Sequence, residues 1–382
     1  MSPDRSSLSQ PETLPPDARL ELRQALLGWY DTRSADYPWR GCGDPYRIWI
    51  SEVMLQQTRV ATVVGYYHRF LDRFPTLEAL AAASLAEVLQ CWEGLGYYSR
   101  ARLLHRSAGK LVERHGGAFP QTPEALSTLP GIGPYTAAAV ASIAFGEPAA
   151  VVDGNVARTL SRLFDLSEEI DRPAVLDRIR TLAQSLLAVD RPGDFNQAMM
   201  DLGRTVCTPR QPDCRHCPLA AFCRARQCGT VHLRPVRRAK RSRPLLRAAA
   251  AVLRDPEGDL LLGQRPLKGL WGGLWALPGG LCEPDESNTA TLVRSLAFLG
   301  GPLIVEREMA NATQDLTHFR VHLRAFACRL PEPIVLPSTP SPAWPCLVWV
   351  SPDRLADYSM GKVDRQIIEQ LTIWQPRLFE ES

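Results

Sequence analysis

The feature that most restricts this chain is a cysteine loop with the spacing Cys207-x6-Cys214-x2-Cys217-x5-Cys223. Four thiolates in one compact loop can hold tetrahedral zinc or an iron–sulfur cluster, because both take soft sulfur ligands. Ligand type alone leaves both open, and the spacing lacks the two C-x2-C pairs usual for zinc. The other six of the ten cysteines are scattered along the chain. The opening stretch MSPDRSSLSQPETLPPDARL has no apolar core and does not read as a secretory signal. A reducing, cytoplasmic setting is therefore expected, where clustered thiols bind metal rather than pair as disulfides.

What leads up to the loop reads as helices. ARLELRQALLGWYD, DPYRIWISEVMLQQTRVATVVGYYHRFLDRF, TLEALAAASLAEVLQCWEGLG and RPAVLDRIRTLAQSLLAV carry apolar residues at helical spacing, separated by short polar or Gly/Pro breaks. After the loop the composition shifts. From Arg224 to Arg247 there are nine Lys or Arg and no acid, which fits a solvated linker or an arm along a polyanion. LLRAAAAVLRDPEGDLLLGQRP then reads as a β-hairpin closed by the D-P-E-G turn, with further strands in HFRVHLRAFACRL and CLVWVSP and a helix around 285–299. The length of 382 residues suits two domains, and 45% hydrophobic with 22% charged residues is a soluble globular composition without a membrane-spanning run. The expected layout is a tail (1–17), an all-helical body (18–225), a basic linker (226–245) and an α+β domain (246–375).

In LPGIGPYTAAAV, Gly131 and Gly133 make a corner directly ahead of a helix whose first turn holds Pro134 and Tyr135. Bare amides at a helix start bind an anion such as a backbone phosphate, although the stretch alone better suits an ordinary helix–turn–helix corner. Glu52 has Ile48, Trp49, Leu55 and Gln56 as its helical neighbours, an odd setting for a solvent-facing carboxylate. Desolvation there would raise its pKa and keep a proton available. Asp153, in VVDGNVAR, sits where a helix N-cap belongs, and capping amides also favour the ionised form. One protonated acid and one carboxylate anion are what cleavage of an N-glycosidic bond requires.

Taken in order, WISEVMLQQTRV, GLGYYSRARLLH, LPGIGPYTAAAV, VVDGNVAR, FNQAMMDLG and the cysteine loop resemble the MutY-type adenine DNA glycosylases of the helix-hairpin-helix, endonuclease III-like superfamily. The resemblance runs from about residue 20 to 225 and implies a [4Fe–4S] cluster on Cys207, Cys214, Cys217 and Cys223. It further implies a monomer acting on double-stranded DNA with adenine opposite 8-oxoguanine, in the bacterial nucleoid. Glu52 would protonate adenine, and Asp153 would stabilise the sugar cation with Asn155 and Tyr135 in support. Arg40, Leu55 and Gln197 would contact the base, while Gln57 and Tyr97 would wedge into the gap left by base flipping. In strand-cutting relatives the position after the hairpin is a lysine that forms a Schiff base. Tyr135 cannot, so a monofunctional enzyme is expected.

The C-terminal part resembles a Nudix box in which Gly280, Glu286 and Arg294 fit, but Ser295, Phe298 and Leu299 replace metal-binding acids. The resemblance implies a lesion-reading domain rather than a nucleotide hydrolase, with Leu316, Thr317 and His318 in the reading loop. The tryptophans of LKGLWGGLWALPGG are expected in its core. Rival readings are another mismatch or oxidised-pyrimidine glycosylase on the same scaffold, a non-catalytic DNA-binding protein with a metal-stabilised loop, and a Nudix hydrolase with an accessory DNA domain.

Overall fold

The computed structural model describes residues 13–33, 36–238, 242–332, 336 and 341–373. Residues 1–12 of the expected N-terminal tail, and 333–335 and 337–340 of the proline-rich stretch 330–345, therefore lie outside the described residues. The helices before the basic segment are α1 (Pro16–Arg33), α2 (Pro45–Leu55), α3 (Val60–Arg73), α4 (Leu77–Ala82), α5 (Leu85–Trp92) and α6 (Ser99–His115). They continue with α7 (Pro123–Leu126), α8 (Pro134–Phe145), α9 (Gly154–Leu163), α10 (Pro173–Leu186), α11 (Pro192–Thr205) and α12 (Arg224–Gln227). The remainder contains β1 (Leu245–Val252), β2 (Leu260–Gln264), β3 (Trp275–Ala276), β4 (Gly279–Leu281), α13 (Asn288–Ser295), β5 (Ile304–Asp315), β6 (Arg320–Arg329), β7 (Cys346–Val350) and α14 (Lys362–Ile373).

Two compact units result, one from Met1–Ala82 with Leu103–Lys240, the other from Ala83–Arg102 with Arg241–Ser382. The Lys240/Arg241 break lies inside the stretch read as linker, whereas the grouping of Ala83–Arg102 with the second unit differs from the sequence reading. Ala83–Arg102, read as part of the helical body, groups with the second unit through polar ties of long sequence separation. Glu93 pairs with Arg365 at 2.8 Å, the Tyr98 hydroxyl donates to Met360 O and Arg102 donates to Gly272 O. Residues 226–238, read as linker, fold onto the first unit. Arg162 Nε donates to Val231 O and Arg234 O, Ile170 N donates to Val236 O, and Arg234 pairs with Asp165 at 2.8 Å.

In the first unit α11 packs against α1, α8 and α9, and α2 packs against α3 and α8. Leu26, Leu160, Ile179, Leu186, Ala198 and Leu202 are fully buried within one cluster. Asp44 caps α2 by accepting from Tyr46 N, and Pro45 opens its first turn. The run read as continuous helix is two helices. It breaks after Leu55, where Gln57 takes a left-handed φ of 60°. The α7–α8 corner depends on Gly131, at φ +75°, where a Cβ would lie 2.6 Å from Leu103 Cβ.

In the second unit the order of one sheet is β4-β1-β6-β5 and of the other β3-β2-β7. The expected hairpin is thus corrected. Across the Asp255–Gly258 turn the chain bridges at Arg254 and Leu260, then β1 and β2 diverge into different sheets. Alternation along β1 explains its apolar run. Ala248, Ala250 and Val252 join Val363, Ile367 and Leu371 of α14, while Ala249 and Ala251 join Leu292 of α13. Both faces are covered. Trp271 and Trp275 are half-buried against the α14-side core rather than inside it.

Replacing Gly131 by Ala forces both a strained φ and a clash, so unfolding should cost about 1–3 kcal/mol less than in the parent. Gly133→Ala, at φ −85° and with nothing within 4 Å of the added Cβ, should cost much less. Denaturant midpoints of the two variants check this, and equal loss in both would refute the steric argument.

Candidate active site

A cavity of about 480 Å³ opens in the first unit. Arg40, Glu52, Leu55, Tyr135, Asp153, Asn155 and Gln197, all singled out from sequence, line it. So do Tyr37, Trp39, Met200, Asp201 and Arg204, which sequence reading missed. A signal existed: on α11, Met200, Asp201 and Arg204 lie three, four and seven positions after Gln197 and so share its face.

Glu52 sits on α2, a helix buried on nearly every side, and is itself 5% exposed. Burial pushes its carboxyl above the usual glutamate range, against the opposing pull of the Tyr135 hydroxyl and Arg40. Among the described residues its hydrogen-bond partner in the cavity is Tyr135, whose hydroxyl lies 2.7 Å from Oε2 and 3.4 Å from Met200 Sδ.

Asp153 is the N-cap of α9, in extended backbone. Its Oδ1 accepts from Val156 N at 2.7 Å and its Oδ2 from Asn155 Nδ2 at 2.9 Å. Burial raises its carboxyl too; those donors and Arg158 oppose the rise without cancelling it. The amides expected to favour the anion are present, then, but the net shift is upward. Asn155 is held in turn by Arg158, whose Nη2 donates to Asn155 Oδ1 at 2.9 Å and to Gly203 O, while Nε donates to Cys207 O at 2.8 Å. Arg158, 6% exposed, was not singled out from sequence because an arginine on a helix ordinarily reads as solvent-facing.

That bond leads to the cysteine loop. Cys207, Cys214, Cys217 and Cys223 line one pocket together with Arg162 and Val206. Among the described residues, no group of three or more His, Cys, Asp or Glu has the arrangement to hold a single metal ion. Burial and the neighbouring sulfurs push Cys214 and Cys223 up, and Cys217 up to about 12. Arg162, 2% exposed, donates to Cys207 Sγ at 3.3 Å and to Thr208 O and Pro209 O. Half-buried thiols of this kind become thiolates when a cationic group compensates them, and all four line this one pocket.

The corner keeps its first-turn amides free of a side-chain cap at Gly133. Gln57 is exposed just beyond α2. In the second unit Tyr97, at φ 50° and 44% exposed, places its hydroxyl 2.8 Å from Thr317 Oγ1. Thr317 and His318 are exposed at the β5–β6 turn, whereas Leu316 packs against the core. Glu286 accepts from Arg294, Thr291 and Glu283 N, so these two retained Nudix-box residues form a clamp.

Residues 50–185 match the HhH-GPD superfamily of base excision DNA repair proteins, and residues 249–370 match the NUDIX domain. The adenine DNA glycosylase of Homo sapiens is 40% identical over 365 residues, covering 81% of this chain and 67% of that protein. That of Mus musculus is 38% identical, covering 86% and 74%. The chain belongs to the adenine DNA glycosylase family. A solved thermostable thymine-DNA glycosylase, 30% identical, superposes with a TM-score of 0.51 over 56% of this chain and 98% of that chain. This glycosylase thus joins a helix-hairpin-helix body to a Nudix domain, and it is a DNA-binding enzyme of base excision repair. No helix among the described residues is long and apolar enough to cross a membrane.

Arg158→Ala should remove the side-chain donor of Gly203 O and Asn155 Oδ1 inside the glycosylase body and leave Cys207 O to Arg162 Nη1. A loss of about 2–4 kcal/mol in stability is expected from denaturant unfolding. A change under a few tenths would contradict the bonding described.

Proposed function

We propose that this enzyme excises adenine mispaired with 8-oxoguanine by hydrolysing the N-glycosidic bond, and leaves the DNA strand intact. The observation that carries this reading is the unequal treatment of two carboxylates lining one cavity, Glu52 buried and Asp153 half-buried. Glu52 receives one hydroxyl donor amid apolar surroundings, so it keeps a proton for the leaving base. Asp153 receives a donor on each oxygen, so its anion faces the developing oxocarbenium. Tyr135 holds Glu52 and Asn155 holds Asp153. Arg40, Leu55 and Gln197 line the cavity that takes the flipped base, and a phenol at position 135 cannot form an imine with the sugar.

The remaining roles rest on the resemblance together with position. The Gly131–Gly133 corner would bind a DNA phosphate through its amides. Gln57 and Tyr97 would fill the stack. Thr317 and His318 would read 8-oxoguanine, a reading that the exposure of both side chains supports. Cys207, Cys214, Cys217 and Cys223 would ligate a [4Fe–4S] cluster, whose chemistry here is to fix the loop. Purified protein should then contain iron and inorganic sulfide in equal amounts, and Cys217→Ser should lose both.

Single-turnover assays on duplexes with adenine opposite 8-oxoguanine, guanine or thymine test the activity. Release should be fastest opposite 8-oxoguanine, with strand breaks only after hot alkali. Glu52→Gln and Asp153→Asn should each slow release by about 10²–10⁴-fold while DNA binding persists. The rate should fall at high pH as Glu52 loses its proton and at low pH as Asp153 gains one. Burial raises both groups, so both limbs should lie above the ordinary carboxylate ranges. Tight binding with no adenine release on any duplex would overturn the assignment.

A further inference from the structure

We propose that Asp201 is a positioning residue for the base cavity: it fixes Arg40 and Arg204 as a paired rim and neutralises Arg40 beside Glu52. This rests on the adenine-excision reading and names a residue that reading does not use. Asp201 lies on α11 one turn beyond Gln197 and is 7% exposed. Each carboxylate oxygen takes a different guanidinium, Oδ2 from Arg40 Nη2 at 2.8 Å and Oδ1 from Arg204 Nη2 at 3.1 Å. Arg40 Nη1 donates to the Tyr30 hydroxyl, and Arg40 Nε is buried with no hydrogen-bond partner among the described residues. Two of its three nitrogens are thereby pinned by protein, which fixes the guanidinium of a residue that lines the cavity.

The rim is built around an aromatic wall. Tyr37 stacks on Trp39 at 5.3 Å, and the guanidiniums of Arg40 and Arg204 lie 5.9 Å and 5.5 Å from the Tyr37 ring. Without Asp201 two cations would share that wall uncompensated.

The electrostatic consequence reaches Glu52. The charged and titratable groups lining its cavity are Tyr37 and Arg40 ahead of α2, Arg59 at the start of α3, Tyr135 on α8, Asp153 at the cap of α9, and Asp201 and Arg204 on α11. Tyr30 of α1 stands behind Arg40. Arg40 is the cation that pulls the Glu52 carboxyl down, and Asp201 is the anion bonded to it. With Asp201 in place, the acid keeps its proton to higher pH.

The test measures single-turnover adenine release opposite 8-oxoguanine against pH and enzyme concentration, for the parent, Asp201→Asn, Asp201→Glu, Arg40→Met and the Arg40→Met/Asp201→Asn double variant. Asp201→Asn should lower the saturating rate by about tenfold or more and move the high-pH limb to lower pH. Half-saturation should change by less than about twofold, because phosphate contacts dominate affinity. Asp201→Glu should return the limb towards the parent position. In the Arg40→Met background the Asp201 change should no longer move the limb, and that comparison decides the matter if Asp201→Asn alone does not fold. A limb that stays in place in Asp201→Asn, or that shifts equally with and without Arg40, overturns the proposal. No adenine release by the parent would instead sink the excision reading, and this proposal with it.

Discussion

An arginine can donate hydrogen bonds but never accept them, and the cavity's organisation follows from where Arg158 donates. Its Nη2 faces Asn155 Oδ1, which fixes that amide with its nitrogen towards Asp153. Asp153 Oδ2 must therefore accept, as Oδ1 already does from Val156 N. The direction of every bond in the chain is set from its buried cationic end. The same guanidinium binds Cys207 O, so the turn that starts the cysteine loop and the cap of α9 share one anchor. Close packing reinforces it, since a Cβ at Gly203 would lie 2.7 Å from Asn155 Cβ.

Burial raises both carboxylates, so desolvation alone does not divide the labour between them. Donor count does. A carboxylate with a donor on each oxygen loses part of its anionic character to those bonds, and protonating it forfeits them. Glu52 forfeits a single hydroxyl contact, and that hydroxyl can turn to Met200 Sδ. In the proposed reaction the proton accordingly stays on Glu52 when the cavity holds only one.

Much of this was legible in the sequence, and for local reasons. Glu52 stands out as a charge among apolar helical neighbours, Asp153 as a cap, the cysteines as a spacing, and Gly131 as a corner. What sequence missed depends on partners far along the chain. Arg158 and Asp201 look like surface residues until Cys207 and Arg40 are placed beside them. The D-P-E-G turn correctly marks a reversal, but two apolar runs joined by a turn do not say that each strand will pair elsewhere. Nor can the helical pattern of 83–102 reveal that Glu93 meets Arg365. β5 went unread because IVEREMANATQD alternates too weakly, one face being charged or polar and ion-paired across the sheet.

Two of the residues proposed to act as wedges share a backbone property. Gln57 and Tyr97 have φ of 60° and 50°, a region that costs a residue with a Cβ about 1–2 kcal/mol. Such a cost persists only where the surroundings impose it. At Gln57 the imposition is the abrupt end of α2 before α3 begins at Val60. At Tyr97 it is a segment tied on both sides, by Trp92 Nε1 and Arg100 Nη2 donating to Gly96 O and by Tyr98 donating to Met360 O. The result is an aromatic ring held outward, at 44% exposure, rather than folded into the core beside Trp92. An exposed ring on a main chain held this firmly suits a side chain proposed to enter a gap only while a base is out.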